Sequence, residues 1–145
     1  MTPHLIQAGL SVDDRGRLTF ANGFSLSGYE RFYTIENHEV GFVRAWHGHK
    51  HESKVFFPLR GAFIAAAVAV DDWNSPSKDA EVVRVVLSSD KPELFVIPAG
   101  YANGTKSLTR DALLLVLSSH DLVSSKGDDF RYPANHWDIW HVEQR

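Results

Sequence analysis

Gly41-Phe42-Val43-Arg44-Ala45-Trp46-His47-Gly48-His49 is the stretch on which the fold turns. It mixes β-branched and aromatic residues with two histidines one residue apart, between glycines that punctuate it. In an extended strand alternate side chains share a face. A regular strand therefore places Phe42, Arg44 and Trp46 on one side, and Val43, Ala45, His47 and His49 on the other. His47 and His49 would lie about 6–7 Å apart at Cα, from a rise of roughly 3.3 Å per residue. Two imidazoles at that spacing on one cavity wall have two uses: binding a metal together, or moving protons between neighbouring atoms of one substrate.

The same texture continues outward on both sides. Short runs rich in Val, Ile, Leu, Phe and Tyr predict strands at 17–20, 30–35, 40–47, 54–60, 62–71, 81–88, 94–97, 104–108 and 111–118. Breaks fall at Asn22-Gly23, Ser27-Gly28, Arg60-Gly61, Asn74-Ser75-Pro76, Ser88-Ser89-Asp90 and Ala99-Gly100. Arg60-Gly61, between two apolar runs, reads as a tight hairpin. No window of a dozen residues carries a helical period. Many short strands at this spacing predict an all-β sandwich or barrel, as one domain over residues 1–145.

Composition removes several function classes. The chain has no cysteine, which excludes disulfides, thiolate metal sites and cysteine nucleophiles and suits a cytoplasmic location. A net charge of −3 gives no footprint for nucleic acid. The longest apolar run, Ala62 to Val70, suits a buried strand and falls far short of the ~20 residues of a membrane helix. The N-terminus lacks the basic-then-apolar pattern of a signal peptide. The aromatic tail from Asp128 to Arg145, with Phe130, Tyr132, Trp137 and Trp140, is expected to pack on the barrel or on a second subunit.

Gly41-x5-His47-x-His49, the later Gly61, and Ile97-Pro98-Ala99-Gly100-Tyr101-Ala102-Asn103 resemble the two motifs of the cupins. The resemblance implies a double-stranded β-helix, the jelly-roll barrel. Metal-binding cupins add a Glu to the first motif and a His to the second; here those positions hold Lys54 and Asn103. A cation and an amide are poor replacements for a carboxylate and an imidazole, so no metal and no other cofactor is expected. Glu52 would join the histidines only if the strand were bulged.

The blocks Arg31-Phe32-Tyr33-Thr34-Ile35 and Arg44-Ala45-Trp46-His47-Gly48-His49-Lys50 resemble those of the dTDP-4-keto-6-deoxyhexose 3,4-ketoisomerases. Ile97-Pro98-Ala99-Gly100-Tyr101-Ala102-Asn103-Gly104 is similar to a block of the dTDP-4-dehydrorhamnose 3,5-epimerases, whose His is here Asn103. The similarity covers roughly residues 30–120, and the second histidine, His49, is a ketoisomerase feature. What the resemblance implies is an isomerase acting on a nucleotide-linked 4-keto sugar. His47 would take the C3 proton and His49 would move protons within the enediol. Tyr33 would serve as an acid on the far face, where epimerisation needs one. Arg44 would bind the diphosphate, on a face that the regular strand turns away from the histidines. Lys54 would stabilise the enolate or a phosphate and Asn103 would bind a sugar hydroxyl; Trp46, Phe56, Tyr101 and Trp73 read as core residues, one of which would stack on the base, with Tyr101 the substrate-binding candidate. The alternatives are a 3,5-epimerase, a metal-dependent cupin, and a sugar-nucleotide-binding module without chemistry. Small proteins of this branch are homodimers, often with exchanged strands, and a homodimer is implied here too.

Overall fold

The computed structural model describes residues 1–145. Its strands are β1 (His4–Gln7), β2 (Gly9–Asp13), β3 (Gly16–Phe20), β4 (Arg31–Glu36), β5 (Val43–His49) and β6 (Lys54–Arg60). They continue as β7 (Ala62–Ala69), β8 (Val82–Ser88), β9 (Glu93–Ile97), β10 (Tyr101–Ser107) and β11 (Leu113–Ser118). A short helix, α1 (Leu122–Lys126), precedes the last strand, β12 (Phe130–Arg131). One antiparallel sheet has the order β1-β9-β6-β11-β4 and the other β12-β5-β10-β7-β8, while β2 and β3 form a separate hairpin.

The two sheets face each other. Phe56, Phe95, Ile97, Leu114 and Val116 of the first interleave with Phe63, Ala65, Ala67 and Leu87 of the second. Both sheets are also covered from outside. Trp46, Ile64, Ala66, Val68 and Ala102 pack under Trp137 and Trp140 of the C-terminal tail. Val55, Leu94, Val96 and Leu117 pack under Ile6, Ala8, Phe24 and Tyr29 of the N-terminal segment. Burial on both faces explains why β7 reads as a continuous apolar run, Phe63 to Val68, rather than an alternation.

Several boundaries differ from the expectation. β1, β2, β12 and α1 add to the expected elements, and β5 starts at Val43 and extends through His49. Helix α1 spans only five residues, too few for a period, although Asp121 caps it by accepting from the Ser124 N–H and Gly127 follows it. Arg60-Gly61 is not a hairpin turn. β6 and β7 belong to different sheets, and the chain turns a corner between them. Gly61 makes that corner at φ +65°, where a Cβ would lie 2.9 Å from the Ala112 Cα. The aromatic tail packs on its own barrel, with Trp46 edge-to-face against Trp137 and tilted against Trp140 at centroid distances of 5.3 and 5.1 Å.

Candidate active site

A bulge in β5 builds the site. In the pairing of β5 with β10, His49 lies opposite Tyr101, Gly48 opposite Ala102 and His47 opposite Asn103; then the register shifts, and Ala45 faces Gly104 and Arg44 faces Thr105. Trp46 is the extra residue. Asn103 and Thr105 are two apart on a regular strand and share a face, so Arg44 and His47 share that face as well. This overturns the expected alternation. Arg44 stands with the histidines, while Val43, Ala45 and Trp46 join the outer apolar cluster.

The face opens into a cavity of about 540 Å³. β5 contributes Arg44, His47 and His49; β10 contributes Asn103 and Thr105; β6 contributes Lys54 and Phe56. β4 adds Arg31 and Tyr33 on the opposite wall, and α1 and the segment after it add Ser125, Lys126, Asp129 and Arg131. Five of the lining residues are Arg or Lys and three are Asp or Glu, so cations predominate. Of the residues singled out in sequence, His47, His49, Tyr33, Arg44, Lys54 and Asn103 come together here. Tyr101 does not line the cavity, because its ring packs against the core between the sheets.

His49 is buried. Its Nδ1 lies 2.6 Å from the Asp128 carbonyl oxygen, and a carbonyl only accepts, so Nδ1 carries the proton and Nε2 is left with a lone pair. The Asp128 carboxylate also caps the turn that follows β5, accepting from the N–H groups of Lys50 (2.7 Å), His51 (2.8 Å) and Glu52 (2.8 Å). Burial pushes the Asp128 carboxyl up, but those three N–H groups outweigh it and hold it below the ordinary carboxylate value. The His47 ring is held below the ordinary imidazole value, first by burial and then by the charge of Arg131, against an opposing pull from Asp129.

On sheet β1-β9-β6-β11-β4, Arg31, Ser118 and Lys54 lie side by side across β4, β11 and β6. The Lys54 Nζ donates to the Tyr33 hydroxyl at 3.1 Å and pairs with Glu52 Oε2 at 3.3 Å. The hydroxyls of Ser118 and Ser125 each donate to the same Oε2 at 2.6 Å. Asn103 Nδ2 and Thr105 Oγ1 are buried against the cavity without partners, as donors awaiting a polar ligand would be. No group of three or more His, Asp or Glu side chains is arranged to hold a metal ion; Glu52, considered as a third donor, is engaged instead by lysine and two serines.

Glu52, Asp128, Ser125 and Arg131 were not assigned to the reaction from the sequence. The only local signal was the helix cap Asp121 and the Gly127 stop, which place Asp128 just past a helix end.

Comparison with known proteins identifies a family and a fold. Residues 1–132 match the family described as FdtA: WxcM-like, C-terminal. Among solved structures, QdtA, a sugar 3,4-ketoisomerase from Thermoanaerobacterium thermosaccharolyticum in complex with TDP, superposes with a TM-score of 0.69 at 21% identity, over 94% of this chain and 93% of that one. The dTDP-4-dehydrorhamnose 3,5-epimerase from Elizabethkingia anophelis gives 0.75 at 18% identity, over 98% and 82%. The Mycobacterium tuberculosis rmlC epimerase gives 0.67 at 18% identity, over 82% and 64%, so the chain spans just under two thirds of that epimerase. These likenesses identify the fold as the cupin barrel. A search of curated proteins finds no match.

Proposed function

This chain belongs to the FdtA, WxcM-like C-terminal family of cupin sugar isomerases and epimerases, and on that premise we propose that it is a 3,4-ketoisomerase of a dTDP-linked 4-keto-6-deoxyhexose, working by proton transfer without a metal. The observation that carries the reading is the histidine pair: both imidazoles line one cavity, and His49 has Nδ1 tied to a carbonyl and Nε2 left as a base. A C3–H beside a ketone is acidic because the electron pair left behind spreads onto the ketone oxygen, and a neutral imidazole has the basicity to remove it. His47 takes the C3 proton and its electron pair forms the enediolate. His49 removes the proton of the 3-hydroxyl and returns a proton to C4, while the proton held by His47 passes to the 4-oxygen, leaving a ketone at C3 and a hydroxyl at C4.

The other wall supports the developing charge. In this reading the Lys54 ammonium, which donates to the Tyr33 hydroxyl, supplies the cation that an enolate oxygen needs. Arg44, brought onto this face by the bulge, suits bidentate binding of the diphosphate, and Asn103 suits a ring hydroxyl. In this reading residues 1–145 act as one domain in a cytoplasmic homodimer. Among the structural relatives, the ketoisomerase QdtA is matched over nearly its full length, the epimerases over less of theirs.

The test is incubation with dTDP-4-keto-6-deoxyglucose in D2O, followed by NMR. The expected product is the 3-keto isomer with deuterium at C4. Deuterium at C3 and C5 with the ketone still at C4 would make the protein a 3,5-epimerase. Absence of exchange with every nucleotide-linked 4-keto sugar would rule out catalysis and leave a binding module.

A further inference from the structure

Glu52 is the most enclosed charged side chain of the site, only 1% exposed. A carboxylate taken fully out of water is costly unless each oxygen finds a partner. Its two oxygens are treated very differently. Oε2 collects the hydroxyls of Ser118 and Ser125 at 2.6 Å, the Lys54 ammonium at 3.3 Å and the Arg31 guanidinium at 3.6 Å. Oε1 is buried with no hydrogen bond, and the group it faces is His49 Nδ1, 3.4 Å away. Burial pushes the carboxyl up, but the hydroxyls of Ser118 and Ser125 and the Lys54 charge oppose it, and Glu52 is held below the ordinary carboxylate value.

We propose that Glu52 is a positioning residue for the proposed proton transfers: Oε1 backs the His49 ring so that Nδ1 keeps its proton and Nε2 stays bare toward the cavity, while Oε2 holds the Lys54 ammonium at the opposite wall. The inference rests on the ketoisomerase reading for its kinetic consequence, though not for its structural one. When His49 accepts a proton at Nε2, the ring becomes an imidazolium whose Nδ1–H already donates to the Asp128 carbonyl, with a free carboxylate oxygen 3.4 Å from the same nitrogen. A carbonyl dipole and a full negative charge then stabilise the cation together, with no atom having to move. The charged and titratable groups facing this pair are Lys54 from β6, Arg31 from β4, the titratable His47 from β5, and Asp128 from the segment after α1. Glu52 is the one carboxylate within 4 Å of both His49 and Lys54.

The same residue also ties α1 to the barrel through Ser125, so a purely structural role must be separated from a positioning one. Three proteins serve: wild type, Glu52→Gln and Glu52→Asp. The first readout needs no turnover. The 15N shifts of the His49 imidazole, assigned by comparison with His49→Asn, report which nitrogen carries the proton. Wild type is expected to show the Nδ1–H form. Glu52→Gln, whose amide offers a donor where a carboxylate offered an acceptor, is expected to populate the Nε2–H form. The same tautomer in both proteins would overturn the proposal, and it would do so even if the wild type turned over no keto sugar, a result that would count against the ketoisomerase reading alone. The second readout is kinetic. Glu52→Gln is expected to lower kcat about 30- to 100-fold, at or below the lower end of a general acid–base contribution, as suits a residue acting through the base, with KM and TDP affinity within about threefold. Glu52→Asp is expected to recover at least a third of that loss on a logarithmic scale. A fall in TDP affinity matching the fall in kcat, without recovery by Asp, would reduce Glu52 to a structural tie.

Discussion

The Nδ1 of His49 lies 2.6 Å from the carbonyl oxygen of Asp128, a residue 79 positions later in the chain. The contact favours the proton on Nδ1, where Glu52 Oε1 also faces the ring at 3.4 Å, and so bears on the kind of chemistry the pair can perform. Its consequences are measurable.

The two histidines have separable duties in the proposed reaction. Changing His47 to Asn is expected to stop exchange of the C3 proton with solvent, a loss of at least 10²-fold for removal of a general base. Changing His49 to Asn is expected to leave slow exchange at C3 while blocking the 3-keto product. NMR in D2O distinguishes the two, and unimpaired C3 exchange in the His47 variant would show that the base is elsewhere.

The pH profile follows from the environment of His47. Burial, then Arg131, hold its ring below the ordinary imidazole value. A base with a lowered pKa remains neutral at lower pH, so the acid limb of kcat/KM is expected below about 6.5. Arg131→Gln removes the second of these causes, and the limb is expected to move up. A wild-type limb above that value would contradict the assignment of His47 as base.

Acid should unfold the site through its carboxylates. Asp128 and Glu52 are both held below their ordinary values in the folded protein. The unfolded chain therefore binds protons first, and the stability these groups contribute is complete above the ordinary carboxylate range. It is lost as pH falls through their lowered values. Asp128→Asn is expected to cost roughly 2–3 kcal/mol at neutral pH, as expected for weakening charge-assisted bonds to backbone N–H groups. Urea unfolding should show the gap between wild type and variant narrowing as pH drops below about 4. A gap independent of pH would mean the carboxylate charge is not the source.

The bulge depends on close packing at Gly104. A Cβ there would lie 2.6 Å from the Ala45 Cβ and 2.8 Å from the Trp140 ring. Gly104→Ala is expected to destabilise the protein by about 1–3 kcal/mol, the usual cost of overpacking, and to weaken TDP binding because Arg44 loses its place. Calorimetry and titration with TDP measure the two effects. Unchanged values in both would show that the bulge does not depend on this contact.

Much of the fold was legible because its signals are local. The apolar run of β7, the breaks around Pro98 and Gly100, and the spacing of His47 and His49 each depend on neighbours in sequence, and each marks a strand or a strand end. The family motifs then pointed to a cupin barrel. The corner at Gly61 was misread as a hairpin because a glycine at positive φ serves either turn, and only the partners of β6 and β7 distinguish them.

The sequence by itself determined that this is a β protein with two histidines poised on one strand. Which residues join them was decided by the tertiary structure. Arg44 faces the cavity because Trp46 is an extra residue opposite β10, and a bulge is a property of two strands, which strand periodicity in one cannot show. Glu52 becomes an anion between a histidine and a lysine only because Ser118, Ser125 and Asp128, 66 to 76 residues away, close around it. Side-chain alternation is set by bond geometry within one strand. The register between strands, and the burial that makes a carboxylate seek cations and hydroxyls, arise only when distant segments pack.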